Sequence, residues 1–181
     1  MKNTFIDWRA ITKYGLILSL IVTGVVIFGF MLEPLIFAGD LPKEVQAKIG
    51  ELPEEVIPLG VGTALIIILS GLTLAILMNK KIFDTKPGQA IYWNFLINGF
   101  LFLNFMNLWD LVIIDILIFG LIQPDFMTIE GVEELIREQT TTAFHFMAFF
   151  KGQPWMLIIA AISAGINMLI RKKKSSIKVY F

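Results

Sequence analysis

Residues 56–78 read VIPLGVGTALIIILSGLTLAILM, 23 consecutive positions without a charge. A helix of about 20 apolar residues crosses the roughly 30 Å of hydrocarbon in a bilayer, so this stretch predicts a transmembrane span. Just before it stand Glu54 and Glu55, and just after it stand Lys80 and Lys81. Acid on one side and base on the other is the pattern of the whole chain. Three further apolar runs lie at about 14–32, 90–122 and 154–170. The expected fold is an all-α integral membrane protein. Its four transmembrane helices form one domain over 1–181, with short extracytoplasmic surface helices and both termini inside.

The charges carry the orientation. Lys2, Arg9, Lys13, Lys80, Lys81, Lys86, Arg171, Lys172, Lys173, Lys174 and Lys178 fall on one side of the four runs, 11 of the 15 Lys and Arg. They lie in short segments close to span ends, where the excess of basic residues on the cytoplasmic side is most reliable. The two longer connections, about 33–55 and 123–153, hold 11 of the 15 Asp and Glu and are expected outside. The zero net charge therefore hides a strong asymmetry. The expected location is the cell membrane, as a multi-pass protein with the lipid bilayer as its first partner. The terminal run 171–174 reads as a stop-transfer anchor, and no nucleic-acid partner is expected.

Composition agrees. Apolar residues make up 56% of the chain, above a soluble domain of this size. Four spans and their loops use all 181 residues and leave no soluble domain. The absence of cysteine excludes disulfides, thiolate metal sites, thiol relays and palmitoylation. The first run is longer than a signal-peptide core and exits into Leu32-Glu33-Pro34 without a small-residue cleavage pattern, so it reads as a retained anchor.

Local patterns fill in the loops. Phe5, Ile6, Trp8, Ile11 and Tyr14 among charged neighbours predict a short amphipathic helix on the inner surface. Small residues at Gly15, Ser19, Thr23 and Gly24, at Gly71 and Ala75, and at Ala161 and Gly165 predict close helix packing. In the first outer loop, Asp40 as N-cap, Pro42 in the first turn and Gly50 at the end frame a short helix. Its stripe Leu41, Val45, Ile49 would face the membrane surface or the other outer loop. In the second, Thr128 is expected to cap a helix running to about Ala143, with Glu133 and Arg137 placed to pair. The apolar stretch 143–150 is too short to span. It is expected to be interfacial or re-entrant, with 151–154 breaking the path into the fourth span.

The third run differs from the others in holding Asn94, Asn98, Asn104, Asn107, Asp110 and Asp115. At about 100° per residue, Asn104, Asn107, Asp110 and Asp115 fall within an arc of roughly 140°. A side this polar faces a bundle interior or a water-filled cavity rather than lipid. If Tyr92 and Trp93 mark the inner interface, Trp109 joins the outer aromatic belt and Asp110 sits at its rim; if the run is centred, Asp110 is deeper. Either way both carboxylates lie in the outer half. His145, the only histidine, and Glu33 at the end of the first span belong to the same side. Asp110, Asp115, Asn107, Asn104, His145 and Glu33 are therefore the candidate cavity residues. Carboxylates with one imidazole suit a divalent cation or proton transfer. The plainer alternatives are a histidine at the interface with its polar tip in water, and asparagines that hold helices together.

Enzyme signatures are missing. No metalloprotease His-Glu-x-x-His motif and no phosphate-binding loop occur, and one histidine without cysteine cannot build a typical zinc site from nitrogen and sulfur ligands. On an α-helix Asp110 and Asp115 diverge by about 140°, which does not make a catalytic dyad. No cofactor is expected. The function expected is a small membrane protein with an outward-facing polar cavity lined by the third span, handling a small solute, ion or lipid. The alternatives are an accessory or assembly subunit of a membrane complex and, behind it, an intramembrane enzyme acting on a lipid or envelope precursor. Candidate protein partners are a second copy or another membrane protein.

Overall fold

The computed structural model describes residues 5–177, with side chains through residue 173; the basic residues Lys2 and Lys178 and the side chain of Lys174 lie outside it. All its elements are helical. They are α1 (Trp8–Leu32), a 3-10 helix (Pro34–Asp40), α2 (Lys43–Ile49), α3 (Val56–Thr85), a 3-10 turn (Pro87–Gln89), α4 (Tyr92–Trp109), a π-helix (Asp110–Ile122), a 3-10 turn (Asp125–Met127), α5 (Glu133–Gln139) and α6 (Thr142–Ile177). Four helices are long and apolar enough to cross a membrane: Trp8–Leu32, Val56–Thr85, Tyr92–Ile122 and Thr142–Lys173.

Two expectations about helix ends fail for identifiable reasons. No separate amphipathic helix precedes the first span. Asp7 caps α1 directly, its Oδ1 accepting the Ala10 N–H at 3.0 Å, and the helix runs unbroken from Trp8. Nor does the chain break at 151–154, because α6 continues through Pro154. A proline removes one N–H and crowds the carbonyl four residues back, but neighbouring helices and local adjustment make that tolerable in a membrane helix. The stretch 143–150 is therefore the first part of α6 rather than a re-entrant segment.

The chain divides into two compact units. One comprises 5–18, 68–106 and 153–177. Its core includes Ile11, Leu18, Met78, Phe83, Phe95, Phe102 and Leu103. Phe83 and Phe95 meet edge to face at 4.7 Å. Small residues admit close approach as expected on α1 and α3: a Cβ at Gly15 would stand 2.5 Å from the Phe105 ring, and one at Gly71 would stand 3.3 Å from Leu103. On α6 the buried small positions are Ala160, Ser163 and Ala164. The expected Ala161 and Gly165 lie one residue on and are only partly covered, an offset of about 100° around a helix.

In this unit Asn94 and Asn98 tie down the chain before α1. Asn98 Oδ1 accepts the Asp7 N–H at 3.0 Å, its Nδ2 donates to the Phe5 carbonyl at 2.7 Å, and Asn94 Oδ1 accepts the Phe5 N–H at 3.2 Å. Both amides are buried and spent on backbone. The Lys86 ammonium lies 3.7 Å over the Phe5 ring and adds a cation–π contact.

The second unit comprises 19–67 and 107–152. Here the connection 33–55 forms its short helix, but Asp40 is not the cap: α2 starts after Pro42 and ends at Gly50, whose φ of 78° suits glycine. The stripe faces the connection 123–153. Val45 is fully buried with Ile129 and Val132, and Leu41, Ile49, Leu135 and Ile136 pack around them. The second loop is more broken than expected. The Thr128 hydroxyl bonds back to the Asp125 carbonyl at 2.7 Å, Gly131 takes a φ of 82°, and α5 holds only Glu133–Gln139. Glu133 folds back to accept the Gly131 N–H, and that bond together with its own backbone N–H holds its carboxyl below the usual range.

Candidate functional site: an acidic cluster around the single histidine

The π-helix changes the geometry of the third long helix. From Asp110 onward the hydrogen bonds run i to i+5, ending with the Gln123 N–H on the Ile118 carbonyl at 2.7 Å. In that register residues five apart stack on one side, whereas on an α-helix they diverge by about 140°. Asp110 and Asp115 are five apart. The divergence expected for them therefore does not hold. π-Helices are rare, and their usual single-turn form inside α-helices is frequent at functional sites.

His145 lies in the first turns of α6, which opens with the Thr141 hydroxyl accepting the Phe144 N–H. Its Nδ1 stands 3.3 Å from Asp115 Oδ2. The ring is only 8% exposed, and its Nε2 is buried with no hydrogen-bond partner. Phe144 packs edge to face against it at 5.5 Å. Asp115, Asp40 and His145 all act electrostatically on Asp110, and Asp115 acts on Asp40. Asp115 of the π-helix and His145 of α6 touch, and Asp110 and Asp40 lie near enough for the charges to act on them. Asp40 keeps its side open to water, yet the protein around it strips enough solvent to push its carboxyl above the usual range, with the Asp115 charge adding to the effect.

The other expected members go elsewhere. Asn107 donates to the Phe149 carbonyl on α6 at 3.2 Å, a helix-to-helix tie. Asn104 turns back to the Phe100 carbonyl of its own helix at 3.0 Å. Glu33 caps the 3-10 helix by accepting the Leu35 N–H at 3.0 Å. It also lines an open groove of about 630 Å³ whose wall includes Leu35, Lys48, Glu51 and Ile129. Trp109 is half-buried, and its indole N–H donates to the Thr23 hydroxyl at 3.2 Å, so it fastens the start of the π-helix to α1 instead of sitting free in an aromatic belt.

Asp40 is the member that sequence reasoning missed. Followed by Leu-Pro in a connection between long helices, it reads as a helix cap, and no local pattern distinguishes a cap from a group whose charge acts on a helix about 70 residues later. Among the described residues no three His, Asp or Glu side chains are spaced to hold a metal ion, so the divalent-cation expectation gains no ligand set. The chemistry available is that of one carboxyl in contact with one base, with two further carboxyls nearby. No protein family, curated protein or solved structure matches the chain.

Proposed function

We propose that the chain is a multi-pass protein of the cell membrane, with both termini cytoplasmic, that handles a small solute or ion at a polar site in its outer half. The convergence of Asp40, Asp110, Asp115 and His145 from separate elements carries this reading. Ionisable groups placed within or beside a membrane span are expensive and usually functional. The one-sided distribution of Lys and Arg supports the orientation. Since the chain has no cysteine, Lys86→Cys and Glu133→Cys each introduce a unique thiol. A membrane-impermeant reagent should label residue 133 and spare residue 86 in intact cells; the reverse pattern overturns the orientation.

The site is tested by Asp110→Asn, Asp115→Asn and His145→Gln, which keep shape and remove charge or base. They should lower function together, read as a growth phenotype or solute binding, with non-additive effects and near-normal expression. Full function in all three overturns the reading. One observation favours an accessory subunit instead: Asn94, Asn98, Asn104 and Asn107 all donate to backbone carbonyls, so most of the polarity of α4 serves packing. A stoichiometric partner purified in mild detergent, with the three site variants silent, would establish that alternative.

A further inference from the structure

The contact between His145 and Asp115 fixes more than proximity. A carboxylate only accepts, and Nδ1 is the ring nitrogen that faces Asp115 at 3.3 Å, so this contact favours the ring proton on Nδ1. In the neutral ring Nε2 is then a bare lone pair. It is also sealed from solvent and unpartnered. A second proton would create an N–H at Nε2 inside the protein with nothing to receive it. The observed surroundings offer an N–H at Nε2 no acceptor, so a proton there requires a new partner. The titratable groups acting on this cluster are Asp110 on the π-helix and Asp40 at the end of the 3-10 helix. The start of α6 adds the partial positive charge of a helix N-terminus.

We propose that Asp115 and His145 form one proton-binding couple and that the proton is the ion the cluster handles. This rests on the cluster being the working site. Uptake adds one proton to the Nε2 lone pair; one N–H bond forms, none breaks, and the pair passes from a net charge of minus one to zero. The new N–H turns to Asp110 or Asp40. Release reverses the step. Asp40, open to water, is where the proton enters.

The chain contains one histidine, so ring-labelled histidine reports on this site alone. Nitrogen NMR of the protein in lipid nanodiscs should show the Nδ1–H tautomer with a bare Nε2 at alkaline pH. Acidification should give one transition to a doubly protonated ring with a hydrogen-bonded Nε2–H. Asp115→Leu should make the Nδ1–H tautomer a minor form, while Asp115→Asn, which keeps an acceptor and the shape, should retain it. Either Asp110→Asn or Asp40→Asn should shift the Nε2–H signal of the charged ring. An Nε2–H tautomer in the wild-type neutral ring, a tautomer indifferent to Asp115→Leu, or an Nε2–H signal unmoved by both other variants overturns the couple. Proteoliposomes carrying a pH dye and a pH gradient separate the two ideas. Flux lost in Asp115→Asn supports both, and absent flux with the expected ring behaviour leaves the couple standing and overturns the functional reading.

Discussion

Replacing Asn98 by leucine should loosen the start of α1 by a predictable amount. The side chain is fully buried, accepts the Asp7 N–H at 3.0 Å and donates to the Phe5 carbonyl at 2.7 Å. Leucine fills similar space and serves neither group. An orphaned buried group costs about 1–3 kcal/mol. These two are only part-buried, so water recovers some of the loss and the low end applies. Polar ties between membrane helices average about 0.6 kcal/mol each, which sets the floor. The sum is about 1–2 kcal/mol. Because Asp7 also caps α1, the effect should concentrate at its first turn. Amide hydrogen exchange in nanodiscs should accelerate about 5–30-fold at residues 7–11, the factor that corresponds to this energy. The amides of 70–80 should change little. Unchanged exchange at 7–11 would refute the clamp, and uniform acceleration throughout would show that Asn98 supports the whole fold.

Two further outcomes follow from the packing and the charges. Gly15→Ala should lower thermal stability, because its Cβ would press into the Phe105 ring, whereas Gly24→Ala meets nothing within 4 Å and should be neutral or stabilising by up to about 1 kcal/mol through helix propensity. Melting of the two variants in the same detergent distinguishes them, and equal shifts would contradict the packing. Asp40 has its carboxyl raised in the folded state, so the folded protein binds more protons between the ordinary and the raised value. Stability from this group therefore rises as pH falls through the raised value and is complete below the ordinary one. Asp40→Asn should melt higher than wild type at pH 7, with the gap closing toward pH 4; a gap that widens on acidification would reverse the sign.

Composition alone made four long apolar helices legible, because an uncharged run such as 56–78 has the length and apolarity that a membrane crossing requires. The Leu41, Val45, Ile49 stripe was equally legible as a face, since burial on one side of a helix imposes its period. Its partner was not, because Ile129 and Val132 lie far away in sequence and only folding brings them there. The same holds for Asn94 and Asn98, whose polarity announced a buried role while the groups they serve, Phe5 and Asp7, are chosen by the path of the chain.

The candidate site divides in the same way. Asp110, Asp115 and His145 stand out in the sequence, since ionisable groups amid apolar runs are conspicuous against the cost of desolvating them. That His145 touches Asp115 comes from the folded chain alone. The angle between Asp110 and Asp115 depends on whether the backbone bonds at i+4 or i+5, and a periodicity argument assumes the former. His145 is carried by the first turns of α6, a helix that continues through Pro154 although proline in isolation reads as a stop. Asp40 joins through a 3-10 turn with no sequence signal for its destination. Local free energy, which a sequence displays, selects elements and faces; the register and the long-range pairs come from the packing of those elements together, which no single segment encodes.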